Sequence, residues 1–426
     1  MKKPLGTSKP RSGLVAALDL GSSKISCLIA RLGTSGTGEP ARPRVIGIGH
    51  QKSHGLKSGT VIDLDAAEAT IRATVEAAEA MVGENIHKVF VNLSCGKPAS
   101  NLIATETPVA GREIDDADLY RVLSPEILAA NTPTDHEVIH SIPVGYSVDG
   151  NRGVRDPRGM FGERLGVNLH LVTAHASPVR NLRTVVDRCH LEIEGLVATP
   201  FASALASLVD DERQLGTTCI DMGGGVTSLA IYCDGELVHT DVIPLGGGHM
   251  TNDIARGLST PLGSAERMKT LFGNVMPSPS DDAEMIQVPL IGEDRDGATT
   301  QVPRSLLVGI VRPRAEEILE LVRDRLVKSG FDKAIGQRVV LTGGASQLSG
   351  LAELAADVLG RQVRLARPRG VEGLADAVSG PGFATSVGLI RYAAENPLEV
   401  AGGDFQPVRE RGGAFGRLGQ WLRENF

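Results

Sequence analysis

The chain has 426 residues and a mass of 44.8 kDa, enough for two to four domains at ~150 residues each. Apolar residues make up 41 % and charged residues 22 %, spread along the chain, which excludes a disordered protein. A net charge of −7 and 3 % aromatics exclude a general nucleic-acid binder.

The N-terminus, MKKPLGTSKPRSG, is basic. Asp19 and Lys24 interrupt the apolar stretch behind it, so residues 1–12 read as a solvated tail and not as a secretory signal. No apolar run approaches the ~18 residues that span a bilayer. Five cysteines, Cys27, Cys95, Cys189, Cys219 and Cys233, form an odd set with no C-x-x-C spacing. They read as reduced core residues of a cytoplasmic protein. No zinc site is expected from the histidine spacing.

Segment 14–30, LVAALDLGSSKISCLIA, is an apolar strand, an Asp, a turn of small residues and a second strand. Segment 217–232, TTCIDMGGGVTSLAIY, repeats it at an offset of 202 residues. Asp19 aligns with Asp221, Gly21 with Gly223, Ser26 with Ser228 and Ile29 with Ile231. Two such hairpins suggest related α/β halves facing one cleft. In the first turn, Gly21, Ser22 and Ser23 can aim backbone N–H groups and hydroxyls at an anion, and Lys24 adds positive charge. In the second, Gly223, Gly224 and Gly225 offer φ > 0 or a close approach to a phosphate, and Thr227 a further hydroxyl. Asp19 and Asp221 would flank Mg²⁺ through water, since Mg²⁺ dehydrates reluctantly. Either turn alone reads equally as an ordinary tight hairpin; the matched pair favours a shared ligand.

Between and after the hairpins, helix and strand signals alternate. The pattern predicts a helix over 63–83, capped by Asp63 or Asp65 and closed by Gly83, and a strand over 87–95. Residues 96–170, with runs such as EVIHSIPVGYSVDG, read as an inserted α+β unit. A helix is expected over 177–193, with Ser177 as N-cap and Pro178 in its first position. The small-residue segment 195–208, GLVATPFASALASL, reads as a helix, as does 382–393, GFATSVGLIRYA. Ala202, Ala206, Ala384 and Gly388 fall four apart on one face of each, so the two could cross closely. An acidic, Pro-rich piece at 276–297 suggests an exposed hairpin or loop. Residues 314–330 read as a helix, and 338–360 as strand, Gly turn and helix. That turn carries Gly343, Gly344 and Ser346, where a nucleotide could sit at a sheet's carboxyl edge.

Residues 397–413 are rich in Gly, Pro and charge and read as a linker. The final segment, 414–426, reads as an amphipathic helix on a wheel of ~100° per residue. Phe415, Leu418, Trp421, Leu422 and Phe426 share an arc of about 140°. Arg417 and Arg423 lie outside it, each able to contribute on the order of 1 kcal/mol at anionic lipid. Too short to span, the helix would lie in the interface, with Trp421, the one Trp of the chain, as its anchor.

Taken together, DLGSSK, DMGGG, VVLTGGASQLSGL and the two small-residue helices resemble the five conserved elements of the actin/Hsp70/sugar-kinase ATPase superfamily. The stretch TNDIARGLSTPLGSAERMKTLFG (251–273) and the WLRENF terminus resemble one branch of it, the bacterial cell-division FtsA family. The resemblance runs from about residue 13 to 426. It implies an α/β fold: an actin-like (ribonuclease H-like) duplicated core with an inserted FtsA-type 1C subdomain and the C-terminal amphipathic helix. Subdomain 1A would hold 13–95 and 171–206, 1C 96–170, 2A 207–246 and 313–396, and 2B 247–312. It further implies ATP and Mg²⁺ between the halves, and slow hydrolysis at most. Filaments, binding of the FtsZ C-terminal peptide and contacts with other division proteins follow from it, at the cytoplasmic face of the inner membrane at the septum. Glu266 and Lys269 match the family's adenosine-side pair, Asp253 an acidic position near the γ-phosphate, and Arg304 a basic position at the FtsZ site. A soluble ATPase or kinase of the sugar-kinase or Hsp70 type is the alternative. It leaves the amphipathic tail unexplained.

Overall fold

The computed structural model describes residues 13–33, 41–291 and 299–395. The two predicted hairpins form with the same register. Strands Gly13–Leu20 and Lys24–Leu32 pair antiparallel with Asp19 opposite Ser26. Strands Thr217–Met222 and Thr227–Cys233 pair antiparallel with Asp221 opposite Ser228. Their residues are almost all buried, as near-continuous apolar runs require of strands covered on both faces.

Each hairpin seeds a five-stranded sheet, and the sheets share one plan. In the first, Arg44–Lys52 extends the hairpin into an antiparallel meander, while Lys88–Leu93 and Glu192–Ala198 add in parallel on the other side of Gly13–Leu20. In the second, Glu236–Ile243 extends the meander, and Arg338–Thr342 and Gln362–Leu365 add in parallel beside Thr217–Met222. Numbered by appearance in each half, the spatial order is 3-2-1-4-5 both times. The crossover after the first meander is helix Leu64–Val82, whose N-cap Asp63 accepts from Asp65 and Ala66 N–H and whose C-cap Gly83 is left-handed at φ 76°.

The first half is interrupted by a separate four-stranded sheet in the order Ala99–Pro108, Arg164–His175, His136–Val148, Asn151–Val154. Short helices Asp116–Val122 and Pro125–Ala130 cover it, and Val109, Ile114, Val122, Leu165, Leu169 and Leu171 are among the residues of its own core. This unit also touches the second half. Ser100 Oγ lies 2.7 Å from His170 Nε2 and accepts from Thr240 N–H at 3.1 Å. Burial, followed by the neighbouring His239 and His140, pushes the His170 imidazole down to about 3 from an ordinary 6.5. The unfolded chain therefore binds the proton more tightly, so stability falls as pH drops from about 6.5 toward 3. Between pH 7 and pH 5 the loss from this group is about 2 kcal/mol. His170→Gln should flatten the urea-midpoint slope over that interval; an unchanged slope would remove His170 as its source.

Several boundaries differ from those expected. The helix expected over 177–193 runs Ala176–Arg188, with His175 in the N-cap position, because Asp135 O captures the Ala176 N–H at 2.9 Å. It stops before His190, which turns at φ 60° and sends the chain into strand Glu192–Ala198. The first four residues of the segment 195–208 belong to that strand, and the helix is Thr199–Ser207. The expected helix 314–330 begins ten residues earlier, at Arg304, and accommodates Pro313 in its interior. Burial of Leu307, Val308 and Val311 on the early turns offsets the hydrogen bond that Pro313 forfeits. The 276–297 piece contributes strand Met285–Pro289, which pairs with Thr299–Pro303 as a two-stranded hairpin.

The two small-residue helices exchange places. Thr199–Ser207, which follows the first sheet, packs on the strands of the second. Ala384–Glu395, which follows the second sheet, packs on the strands of the first. They cross with Gly388 against the backbone of Ala202; a Cβ at 388 would overlap the Ala202 carbonyl and lie 2.9 Å from its Cα.

Candidate functional site

The hairpin turns meet in a cleft of about 740 Å³ between the two sheets, within the range of small-molecule sites. Asp19, Gly21, Ser22, Ser23 and Lys24 line one wall; Asp221, Gly223, Gly224 and Gly225 line the other. The turn glycines keep φ outside the left-handed region, so conformational freedom is not what they supply. They supply closeness. A Cβ on Gly224 would overlap Ser23 Oγ, and one on Gly225 would overlap Ser22 Oγ and reach 2.9 Å from Ser58 Cα. The glycine turn of one half thus lies directly on the serine turn of the other. Gly343, at φ 87°, sits where a Cβ would strike Asp221 Oδ1 and Met222 O.

Asp19 and Asp221 lie at the floor, each 7 % exposed. Burial, with Asp221 adding to it, pushes Asp19 up to about 6, and burial raises Asp221 as well. Lys24 is pushed down to about 8, again by burial, with the two carboxylates opposing the shift. Its ammonium donates to Gly382 O and lies over the Phe383 ring, 3.1 Å from the centroid. The first turn of helix Ala384–Glu395 holds both carboxylates. Ser386 Oγ donates to Asp19 Oδ2 at 3.1 Å, and Thr385 Oγ1 donates to Asp221 Oδ2 at 3.1 Å. Two buried hard-oxygen donors, each held against its charged form, are a donor set that fits a hard divalent cation such as Mg²⁺.

The family model described as "Cell division protein FtsA" matches residues 218–388, and the one described as "SHS2 domain inserted in FTSA" matches residues 96–173. The cell division protein FtsA of Agrobacterium fabrum strain C58 is 48 % identical over 435 residues, covering 100 % of this chain and 97 % of that protein. The chain belongs to the FtsA family. Two solved structures share its actin-like fold. The PilM–PilN type IV pilus biogenesis complex matches at a TM-score of 0.63 and 19 % identity, covering 89 % of this chain and 98 % of that one. MreB5 of Spiroplasma citri bound to ADP matches at 0.52 and 14 %, covering 90 % and 98 %.

Within this FtsA-family fold the other expected residues divide. Glu266 and Lys269 line the cleft beside the glycine turn. Lys269 Nζ donates to Glu266 Oε2 and Thr251 Oγ1 at 2.8 Å and to Gly247 O at 2.9 Å, so these hydrogen bonds fix the pair's position. Gly343 and Gly344 line the far end; Ser346 is buried and donates to Gly343 O at 2.7 Å, shaping the turn from behind. Thr227 is buried and its hydroxyl donates to Leu245 O at 2.8 Å, away from the lining. Asp253 is also outside it, paired with Arg314 Nε at 2.7 Å. Arg304 stands at the cleft's edge, where Nε donates to Phe272 O at 3.0 Å and Nη1 to Glu284 Oε2 at 2.8 Å. Phe415, Arg417, Leu418, Trp421, Leu422, Arg423 and Phe426 lie outside the described residues.

Sequence reasoning did not single out Thr385 and Ser386. Their place in a helix of small residues was the available signal, since two adjacent hydroxyls there have no need to serve packing. Asn92 and Thr199 were also missed. Asn92 accepts from Leu20 N–H at 2.7 Å and donates to Thr199 at 3.2 Å, bracing the first turn from a strand far away in sequence.

Proposed function

We propose that this chain binds ATP with Mg²⁺ in the cleft and acts as a nucleotide-dependent scaffold of cell division. It would assemble with copies of itself and tether the C-terminal peptide of FtsZ to the inner membrane. One observation carries the reading: Asp19 and Asp221, from two copies of one hairpin, converge on a single cleft walled by the serine turn of one and the glycine turn of the other. Asp19 and Asp221 would hold the metal through water, and the ion would neutralise phosphate charge. The N–H groups and hydroxyls of the Ser22–Ser23 turn and the N–H groups of Gly224 and Gly225 would receive phosphate oxygens, while Gly223 N–H closes the turn on Val226 O at 2.9 Å. Glu266 would accept from the ribose hydroxyls, with Lys269 holding it. Asp253, committed to Arg314, is poorly placed to activate water, which supports slow hydrolysis and a mainly structural role for ATP. Saturating Mg-ATP at 100 times Kd should stabilise the protein by ~2.7 kcal/mol in a thermal melt. No shift would end the nucleotide reading.

The subdomain scheme 1A, 1C, 2A and 2B follows from the same reading, with the FtsZ peptide on 2B at Arg304 and later division proteins on other faces. Among the described residues no helix is long and apolar enough to cross a membrane. The amphipathic pattern of 414–426 is what supports placing an interfacial anchor there. Trp421→Glu should reduce co-sedimentation with anionic liposomes at least ~10-fold while leaving the Mg-ATP shift intact. Equal co-sedimentation would refute the anchor alone. Arg304→Glu should weaken binding of an FtsZ tail peptide; equal affinity would place that contact elsewhere.

A further inference from the structure

Outside the cleft, one group of side chains has metal-ligand chemistry that nothing above uses. His136 and His175 stand opposite each other across the strands His136–Val148 and Arg164–His175, with their rings stacked at 4.2 Å between centroids. Asp135 reaches both: its Oδ2 lies 3.1 Å from His175 Nδ1, and its Oδ1 lies 3.4 Å from His136 Nδ1. Asp135 and His175 are 40 residues apart in sequence. Among the described residues this is the one cluster of three His, Cys, Asp or Glu whose ligand atoms all fall within 4.8 Å of one another.

We propose that Asp135, His136 and His175 form a binding site for one divalent transition ion of the zinc class, which braces the base of the inserted unit. Ions of this class sit ~2.0–2.1 Å from imidazole nitrogen and carboxylate oxygen. A tetrahedron of that size has edges of ~3.3 Å by simple geometry. The separations of 3.1 and 3.4 Å, each to its own Asp135 oxygen, are close to that edge, and with one ligand atom from each residue all three atoms lie within 4.8 Å of one another, so a small turn of the exposed carboxylate completes the set. The Nδ1 of His136 is buried and makes no hydrogen bond, so a ligand there would satisfy it. Two imidazoles and one carboxylate suit zinc-like ions and are a poor set for Mg²⁺ or Ca²⁺, which separates this site from the oxygen-only floor of the cleft. The side chains of Asp135 and His175 are 66 % and 40 % exposed, which gives an ion a path in and leaves its fourth position to water.

The backbone is already fixed for the task. Asp135 O accepts from Ala176 N–H at 2.9 Å, and His175 N–H donates to Gly96 O at 2.8 Å. Little ordering remains to be done when an ion arrives. The chain enters the inserted unit at Gly96 and leaves it at His175, so the three ligands span its junction with helix Ala176–Arg188. A bound ion would resist movement of the unit against the first half.

Chelator-stripped full-length protein is titrated with Zn²⁺ in competition with a chromophoric chelator, and Co²⁺ is used as a spectroscopic probe. One equivalent should bind with a micromolar Kd, and Mg²⁺ should not displace it. His175→Gln and Asp135→Asn should each weaken binding at least ~10-fold. Asp135→Asn keeps the backbone bond to Ala176 and is the control should the histidine variant fail to fold. Tetrahedral Co²⁺ bands without thiolate charge transfer would support the assignment. Absence of saturable binding, thiolate bands, or unchanged affinity in Asp135→Asn would each overturn it.

Discussion

Replacing Gly388 with leucine is expected to cost at least ~3 kcal/mol and to separate the two halves of the fold. The neighbour at this position is backbone, the carbonyl of Ala202, and it cannot rotate away. Every residue of helix Thr199–Ser207 is buried, and Gly388 itself is buried in the opposing helix. Each helix is also packed on the sheet of the other half, so neither can retreat without opening a gap beneath it. Alanine at 388 is the sharper test. Helix propensity alone favours Gly→Ala by ~1 kcal/mol, whereas overpacking costs ~1–3 kcal/mol. The overlap should win, so Gly388→Ala should lower the urea midpoint. A raised midpoint would show that the crossing is looser than described. Because Ser386 and Thr385 ride on the same helix, Gly388→Leu should also abolish the Mg-ATP thermal shift.

Asp19→Asn is expected to separate stability from binding. A carboxyl whose ordinary value is 3.8 and which stands at about 6 when folded carries a penalty in its charged form. The folded state binds the proton more tightly, so stability declines as pH rises between those values. The penalty is absent below about pH 4 and complete above about pH 6, where the gap between the two values corresponds to about 3 kcal/mol. Asparagine removes it. The attraction to Lys24 is already contained in the folded value, so the net stabilisation at pH 7.5 is up to about 3 kcal/mol. The same substitution strips one of two carboxylates from the proposed metal position, so Mg-dependent nucleotide affinity should drop at least ~100-fold. Thermal melts at pH 7.5, with and without Mg-ATP, read both effects. A variant that melts no higher than the natural protein, or that keeps its full nucleotide shift, would contradict the account of the cleft floor.

Much of the site was legible from local signals. Asp, a turn of small residues and an apolar strand recur at a fixed offset, and the repeat alone located both walls of the cleft. Helix ends with ordinary caps, such as Asp63 with Gly83, were also readable. Boundaries failed where a distant partner decided them. Ala176 became the start of a helix because Asp135 captured its N–H, and Arg304 began a long helix because Leu307, Val308 and Val311 had a core to enter. Thr227 and Asp253 had the chemistry expected of a nucleotide site, but Leu245 O and Arg314 claimed them, and no local pattern reports such a claim.

By itself the amino-acid order determined the α/β alternation, the duplication, the inserted unit and the identity of the floor carboxylates. These follow from periodicity and from residue types that a turn or a buried strand accepts, which are properties of short stretches of chain. Only the tertiary structure decided that the glycine and serine turns rest on each other, that two helices trade sheets with Gly388 at their crossing, and that Asp135 and His175 meet across 40 residues. Those arrangements are set by which surfaces are buried together, and burial couples residues through space, where separation along the chain carries no weight.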